Sequence, residues 1–418
     1  MITFTFKAIA LLILVILTSC GNVRTGPGGE GPTVDSVGVD SVKPNVAIKP
    51  SMPIKPMVHV YIENTRSMDG YVKGATGFEQ TIFSFLTDIN ISGAIDSLNL
   101  FYINSLVIPH TDNLSEFIER LDPATFRKKG GNRGVTELAD IVNAVLLRTG
   151  PNDISIFVTD GIFSPGRNRN ALEYLKNQQI RFRDNMHSHL ARNPETAIVI
   201  NRQFSNFDGE YFNRYDTPII INEPRPYYIW IIGNIEHVNQ LFASIPKRTQ
   251  RLFENSFTIT RGNREVDYAV KINSGRFNLY RGDPQKTITN LRRDRRSGVV
   301  QFSVDANLSG LLLSDSYLLD PNNYTISTPN FEFTIKQAAS NPHGYTHTFD
   351  FTADRVHKGK VALRLKSQIP GWIEEINDDL GLAALEGRTF GIKYQISGVY
   401  EAFTFDTAYY TEISINIK

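Results

Sequence analysis

The chain has 418 residues, 41% hydrophobic and 21% charged, which is too long for one ordinary domain and too apolar for a disordered protein. Lysine and arginine number 44 against 43 acidic residues, a formal charge of +1, so no global field points to nucleic acid and electrostatic recognition has to be local. The only cysteine, Cys20, excludes an intramolecular disulfide, a cysteine-rich zinc site and a CxxC redox pair.

In chain order, Met1 to Lys7 carries a single positive charge, Ala8 to Leu17 is an unbroken apolar run, and Leu17-Thr18-Ser19-Cys20 follows. This has the form of a secretory signal and is too short for a good transmembrane span. The tetrapeptide resembles the bacterial lipobox. That resemblance implies removal of residues 1–19, a covalent lipid such as palmitate on Cys20, and attachment to a membrane of the bacterial cell envelope. The alternative is a plain signal peptide or N-terminal anchor with a chance cysteine. Gly21 is no obvious inner-membrane retention signal, which favours the outer membrane.

Residues 20–56 read as the lipidated cysteine and a flexible tether. From residue 21 the segment has no aromatic side chain and is dense in Gly, Pro, Ser and Val, with Val34-Asp35-Ser36-Val37 repeated at Val39 to Val42. It cannot bury enough surface to offset its chain entropy. Pro44, Pro50, Pro53 and Pro56 stiffen it, and as a flexible coil it spans roughly 35 Å.

Residues 57–246 alternate apolar strands with helical stretches. Strands are expected at Val58 to Ile62, Leu98 to Ile103, Ile154 to Thr159, Ala197 to Asn201 and Tyr228 to Ile232. Helices are expected at Phe78 to Ile89, Leu114 to Leu121, Glu137 to Arg148, Ala171 to Leu190 and Ile235 to Ile245. The pattern predicts a mainly parallel, doubly wound α/β domain. Gln203 to Pro226, aromatic and acidic, reads as a hairpin-like insertion. From residue 247 to 418, period-two alternation takes over, as in Phe331 to Ile335, Thr346 to Thr352 and Ile413 to Ile417, predicting a mostly β domain arranged as a sandwich. Pro370 to Ala402, with Trp372, Ile373, Ile376, Leu380 and Leu385, reads as a short helical or irregular excursion.

The chemistry lies at the ends of the first and third expected strands. The first strand runs into Glu63-Asn64-Thr65-Arg66-Ser67-Met68-Asp69-Gly70, a carboxylate followed by hydroxyls two and four residues on. Thr136 opens the helix Thr136-Glu137-Leu138-Ala139-Asp140, and Ile154 to Thr159 ends in Asp160-Gly161. All three pieces fall at the carboxyl edge of the expected sheet, where doubly wound folds bind ligands, and oxygen-only donors suit a hard cation such as magnesium.

This ordered set resembles the von Willebrand factor type A family, whose adhesion motif is Asp-x-Ser-x-Ser after the first strand, a threonine on a middle loop, and an aspartate after the fourth strand. The resemblance covers roughly residues 57–246. It implies a Rossmann-like α/β fold, Mg²⁺ or another divalent cation held by Glu63, Thr65, Ser67, Thr136 and Asp160, and a protein partner whose carboxylate completes the coordination. Three departures weaken the metal motif: Glu63 replaces Asp, Thr65 replaces Ser, and Arg66 stands where a small residue is common. Arg66 is also placed to pair with Glu63 or Asp160 in the cation's stead. Without a cation, the same hydroxyls and carboxylates cap helices and satisfy backbone donors.

Two rim features could engage a partner. The basic loop Arg127 to Gly134, with Lys128, Lys129 and Arg133, suits an anionic group or is simply solvated. The insertion's Phe204, Phe207, Tyr211, Phe212 and Tyr215 form either a contact surface or a brace. His187 and His189, two apart on a helix, do not share a face, the Arg292 to Arg296 cluster reads as a solvated turn, and Asn377 to Asp379 lack calcium-loop spacing. No GxSxG, HExxH, Walker or GxGxxG motif occurs. The expected function is a non-enzymatic, lipid-anchored envelope binding or scaffold protein with a protein partner and no nucleic acid. The alternative is a metal-assisted hydrolase of envelope phosphoesters, which lacks an evident nucleophile or histidine base near the motif.

Overall fold

The apolar stretches that alternate with helices along residues 57–260 assemble as seven strands: β1 (Met57–Glu63), β2 (Ser97–Ile103), β3 (Val107–His110), β4 (Ile154–Thr159), β5 (Thr196–Phe212), β6 (Pro218–Asn234) and β7 (Ser256–Thr260). The computed structural model describes residues 54–134, 137–253, 256–328, 330–405 and 407–418. Residues 1–53, including the signal segment, Cys20 and most of the tether, and Thr136 lie outside the described residues.

The strand order is β3-β2-β1-β4-β6-β5-β7. Only β2, β1 and β4 are mutually parallel neighbours. β3 pairs antiparallel with β2, and the contacts of β4 with β6, β6 with β5, and β5 with β7 are all antiparallel. The sheet is therefore mixed, not mainly parallel. The cause is the connection after β5, where the chain returns through a turn at residues 213–217 and not through a crossover helix, and a tight return forces antiparallel pairing. The Asn213 side chain builds that turn, accepting from the backbone N–H of Tyr215 (3.0 Å) and Thr217 (3.1 Å).

Helices cover both faces of the sheet. They are α1 (Gly77–Ile91), α2 (Leu114–Glu119), α3 (Pro123–Lys128), α4 (Leu138–Leu146), α5 (Ala171–Arg192), α6 (Ile235–Ser244) and α7 (Lys247–Gln250). Side chains of Thr76, Asn113, Asp122, Asn170 and Asn234 cap α1, α2, α3, α5 and α6 by accepting first-turn N–H groups. Val58, Val60, Ile156 and Ile231 face a core shared with α1 and α6. Tyr61, Phe157, Ile198 and Trp230 face a second core shared with α4 and α5. Every residue of β4 is buried, as a strand covered on both faces requires.

The sheet runs on past the expected boundary at residue 246, because β7 lies beyond it. The rest of the chain forms a β region, with β8 (Tyr268–Val270), β9 (Arg276–Leu279), β10 (Thr287–Arg292), β11 (Val300–Ala306), α8 (Asp315–Leu318), β12 (Tyr324–Ile326), β13 (Phe331–Gln337), β14 (His347–Ala353) and β15 (Gly359–Lys366). There follow α9 (Trp372–Glu375), β16 (Asn377–Asp378), β17 (Thr389–Phe390), α10 (Ile392–Phe403) and β18 (Tyr409–Ile417). Two sheets, β12-β15-β18-β10-β9 and β13-β14-β11-β8, bury one core between them that includes Phe302, Phe349, Leu363 and Ile415.

The expected excursion at 370–402 returns to the α/β region. Ile373, Phe390, Ile392 and Val399 join the core of α4 and α5. Gly398 lets α10 approach α5: a Cβ there would stand 2.3 Å from the Gln179 carbonyl oxygen. Among the described residues, no helix is long and apolar enough to cross a membrane.

Candidate functional site

β1 and β4 are adjacent parallel strands in register Ile62 to Val158, so Glu63 and Asp160 leave the sheet side by side. After Glu63 the backbone N–H of Asn64 still pairs with the Ile103 carbonyl (3.0 Å), and the chain then turns across the edge as a 3₁₀ helix, Arg66–Tyr71. This turn folds the hydroxyls back toward the strand end. The Thr65 hydroxyl donates to one Glu63 carboxylate oxygen (2.8 Å) and lies 3.1 Å from the Ser67 hydroxyl. The second Glu63 oxygen accepts from the Thr159 hydroxyl, which in turn accepts from the Gly161 N–H (2.8 Å).

Asp160 completes the cluster. Its Oδ1 accepts from the Ile162 N–H (3.0 Å), the nearby Ser67 hydroxyl favours its charged form, and its buried Oδ2 has no hydrogen-bond partner among the described residues. Glu63 is 4% exposed and Asp160 1%. Burial pushes both carboxyl groups up from their ordinary values. Glu63 rises to about 8, first through desolvation and then through the neighbouring charge of Asp160. Each charge disfavours the other, and a further positive charge at the cluster would favour ionisation of both.

Beside the cluster lies a cavity of about 20 Å³ lined by Glu63, Thr65 and Ser67, by the cations Arg66 and Arg133, and by Phe212, among others; Asp160 lies behind this lining. That is room for one water or one small ion. Gly134 and Leu138, which lie before and after the segment containing Thr136, both line it. Among the described residues no three His, Cys, Asp or Glu side chains converge as a metal cluster; the donors here are two carboxylates and hydroxyls. Hard oxygen donors of this kind, with one buried carboxylate oxygen unpartnered among the described residues, are the donor type that divalent cations take, with Arg66 and Arg133 as the competing positive charges.

The expected rim groups have other employment. Arg66 pairs with neither Glu63 nor Asp160: it bonds Glu210 (2.7 Å) and lies over the Phe212 ring (4.9 Å). Arg133 points inward, donating to the carbonyls of Asn64 (2.7 Å) and Thr65 (3.2 Å) and to the Asp69 carboxylate. Arg127 also approaches Asp69 (3.7 Å), and Lys129 sits over the Tyr102 ring (4.8 Å). Lys128 is exposed. The basic loop therefore mostly bolts the β1 turn in place and does not present a field of free cations.

Phe207 and Tyr211, expected as contact residues, are 3% and 2% exposed. β4 pairs with β6 only as far as Thr159 and Tyr228, so beyond that point β5 and β6 continue alone as a ribbon in unbroken register to Phe212 and Pro218. The ribbon crosses the site. Phe207 packs edge-on against Tyr71 (4.9 Å between centroids) and against Gly70, where a Cβ would stand 2.5 Å from its ring. Lys73 and Asp208 (2.7 Å) add an ion pair. The aromatic residues brace the turn, because a two-stranded ribbon cannot stand without a surface to cover its apolar face.

Several contributors were not apparent from sequence. Thr159 and Ser164 flank the recognised Asp160; the parallel register of β1 and β4 is the signal that would have paired Thr159 with Glu63. Arg225 is buried on the ribbon and donates to the carbonyls of Leu385 (2.6 Å) and Arg388 (2.8 Å), and its charge opposes the upward shift of Asp160. Gln395 donates to the Gly161 carbonyl (2.5 Å), and Tyr228 to the Thr389 hydroxyl (2.9 Å). A segment from the far end of the chain thus backs the site. Comparison of the chain with protein-family models, with curated proteins and with solved structures returns no match.

Proposed function

We propose that this chain is a lipid-anchored binding protein of the bacterial envelope, whose von Willebrand A-like α/β region recognises a protein partner through a divalent cation at the Glu63–Asp160 crevice. One observation carries the reading: two buried carboxylates and the hydroxyls of Thr65 and Ser67 meet at the carboxyl edge of the sheet, with Asp160 Oδ2 unpartnered among the described residues. Removing acceptors of that kind from water is costly unless a cation or donor compensates.

In this reading Ser67, Thr65 and Asp160 hold the cation, with Thr136 as a further ligand from the middle loop. Glu63 acts behind them, orienting the Thr65 and Thr159 hydroxyls through the bonds it accepts. A bound Mg²⁺ or Mn²⁺ supplies a Lewis-acid centre with a coordination position for a partner's carboxylate. Arg133 keeps the β1 turn in the shape that presents these oxygens, and Arg66, which also lines the cavity, has its charge engaged by Glu210 and not by the Glu63 or Asp160 carboxylate. Acylation at Cys20 and the tether would hold this region clear of the membrane.

Isothermal titration of Mg²⁺ and Mn²⁺ into wild type and Asp160→Ala tests the cation. Saturable heat in wild type alone supports it, and wild-type heat no greater than the variant's ends it. Crosslinking pull-down from intact cells with and without chelator tests the partner: capture that a chelator leaves unchanged separates binding from the cation. Magnesium-dependent phosphoesterase turnover lost in Asp160→Ala would overturn the binding reading in favour of hydrolysis.

A further inference from the structure

A cleft of about 1,070 Å³, at the upper end of the range for ligand pockets, lies between α6, α7, the start of β7 and residues 309–316. It shares no lining residue with the Glu63–Asp160 cavity. Phe242, Phe253, Leu312 and Leu313 give it an apolar floor. Leu312 packs onto the α/β core and Leu313 onto the β core, and the loop carrying them is tied down where Thr258 donates to the Leu312 carbonyl (2.6 Å) and Asn239 to the Gly310 carbonyl (3.1 Å). The two leucines remain half-buried.

Charge along the cleft is uneven. Lys247 and Arg251, four residues apart and so neighbours on one helical face, both line it and are exposed. Arg248 between them turns away to Asp88 (3.1 Å). Among the described residues neither the Lys247 ammonium nor the Arg251 guanidinium has an ion-pair or hydrogen-bond partner. The two acids in the lining are engaged: Glu236 lies in the first turn of α6, where the helix dipole favours its charge, and Asp315 accepts from the Gln337 amide (2.9 Å). The lining is formally balanced, but its charges are separated along α6: Glu236 stands in the first turn, and the two cations without a partner follow the last.

We propose that this cleft binds a single-chain amphiphile with an anionic head, its chain along Phe242, Phe253, Leu312 and Leu313 and its head at Lys247 and Arg251. A lone apolar trough would take any greasy molecule; two cations without acceptors at one end select an anion. The site is independent of the cation crevice, so either can fail without the other.

The test is fluorescence titration of 11-(dansylamino)undecanoate into the full chain carrying Cys20→Ser, in detergent-free buffer and below micelle-forming concentrations. The expected result is saturable enhancement, displaced with rising potency by octanoate, dodecanoate and hexadecanoate and at least tenfold less well by dodecyltrimethylammonium. Lys247→Glu with Arg251→Glu, both exposed, should weaken the probe at least tenfold with an unchanged thermal midpoint. Absence of saturable enhancement, equal displacement by the cationic amphiphile, potency independent of chain length, or wild-type affinity in the charge-reversed variant would each overturn the proposal.

Discussion

Replacing Glu63 by Gln should stabilise the cation-free protein while weakening its response to Mg²⁺, because one of the two negative charges that a cation offsets is removed. In the folded chain the Glu63 carboxyl is pushed up from 4.5 to about 8 by burial and the Asp160 charge. In the unfolded chain it ionises near its ordinary value. Between those two values the unfolded state gains about 1.4 kcal/mol per pH unit that the folded state does not share. The sign follows: a raised carboxyl leaves stability intact below pH 4.5 and erodes it as pH rises toward 8. At pH 7 the penalty is on the order of 3 kcal/mol, and Gln, nearly isosteric and always neutral, avoids it. The Thr65 and Thr159 hydroxyls, which now donate to the carboxylate, can each rotate to accept or donate to the amide. Urea denaturation in chelator at pH 5, 7 and 8 measures this. Wild type should lose stability relative to Glu63→Gln with each step, and millimolar Mg²⁺ should restore more of it in wild type than it adds to the variant. Parallel pH profiles for the two proteins, or a variant less stable than wild type at pH 8, would refute the account of the buried pair.

Arg225→Met removes both donors from the Leu385 and Arg388 carbonyls and should cost about 2–4 kcal/mol, with hydrogen exchange accelerated first in residues 377–391; unchanged protection there would contradict the anchoring role. Gly398→Ala ought to raise α10 propensity by about 1 kcal/mol, yet its Cβ would meet the Gln179 carbonyl at 2.3 Å. A net loss of about 1–3 kcal/mol is expected, and a raised urea midpoint would show that the two helices are not in close contact. His189, with ring nitrogens 3.1 Å from the Leu146 carbonyl and 3.1 Å from the Thr196 hydroxyl, is held down to about 4 by burial. Its contribution to stability is whole above pH 6.5 and lost as pH falls toward 4, and an NMR midpoint for its ring at or above 6.5 would exclude this.

Local signals in the chain foretold the local pieces. Strand β1 lies within one residue of the apolar run at Val58 to Ile62, β4 matches Ile154 to Thr159, and α1, α5 and α6 start at Thr, Asn and Asn caps. Glu63, Thr65, Ser67 and Asp160 were identifiable because a strand's end fixes where its next residues emerge, and two parallel neighbours end at the same edge. The break in alternation at Gln203 to Pro226 marked a hairpin, which the structure forms as the β5–β6 ribbon.

What only the tertiary structure decided are the partners brought from afar. Arg66 and Arg133 look alike as exposed loop cations; one is drawn outward by Glu210 and the other inward by Asp69, and nothing within a few residues of either distinguishes them. Phe207 is buried because the ribbon lies over Gly70, and Tyr211 because Arg225 of the neighbouring strand covers its ring, so their aromatic character could not tell a brace from a contact surface. β7 and α10 join the α/β region from beyond residue 246 because its sheet edge and its α5 face remain apolar until those elements cover them. Periodicity reports which side of an element seeks burial, and the identity of what buries it is set by the packing of the whole chain.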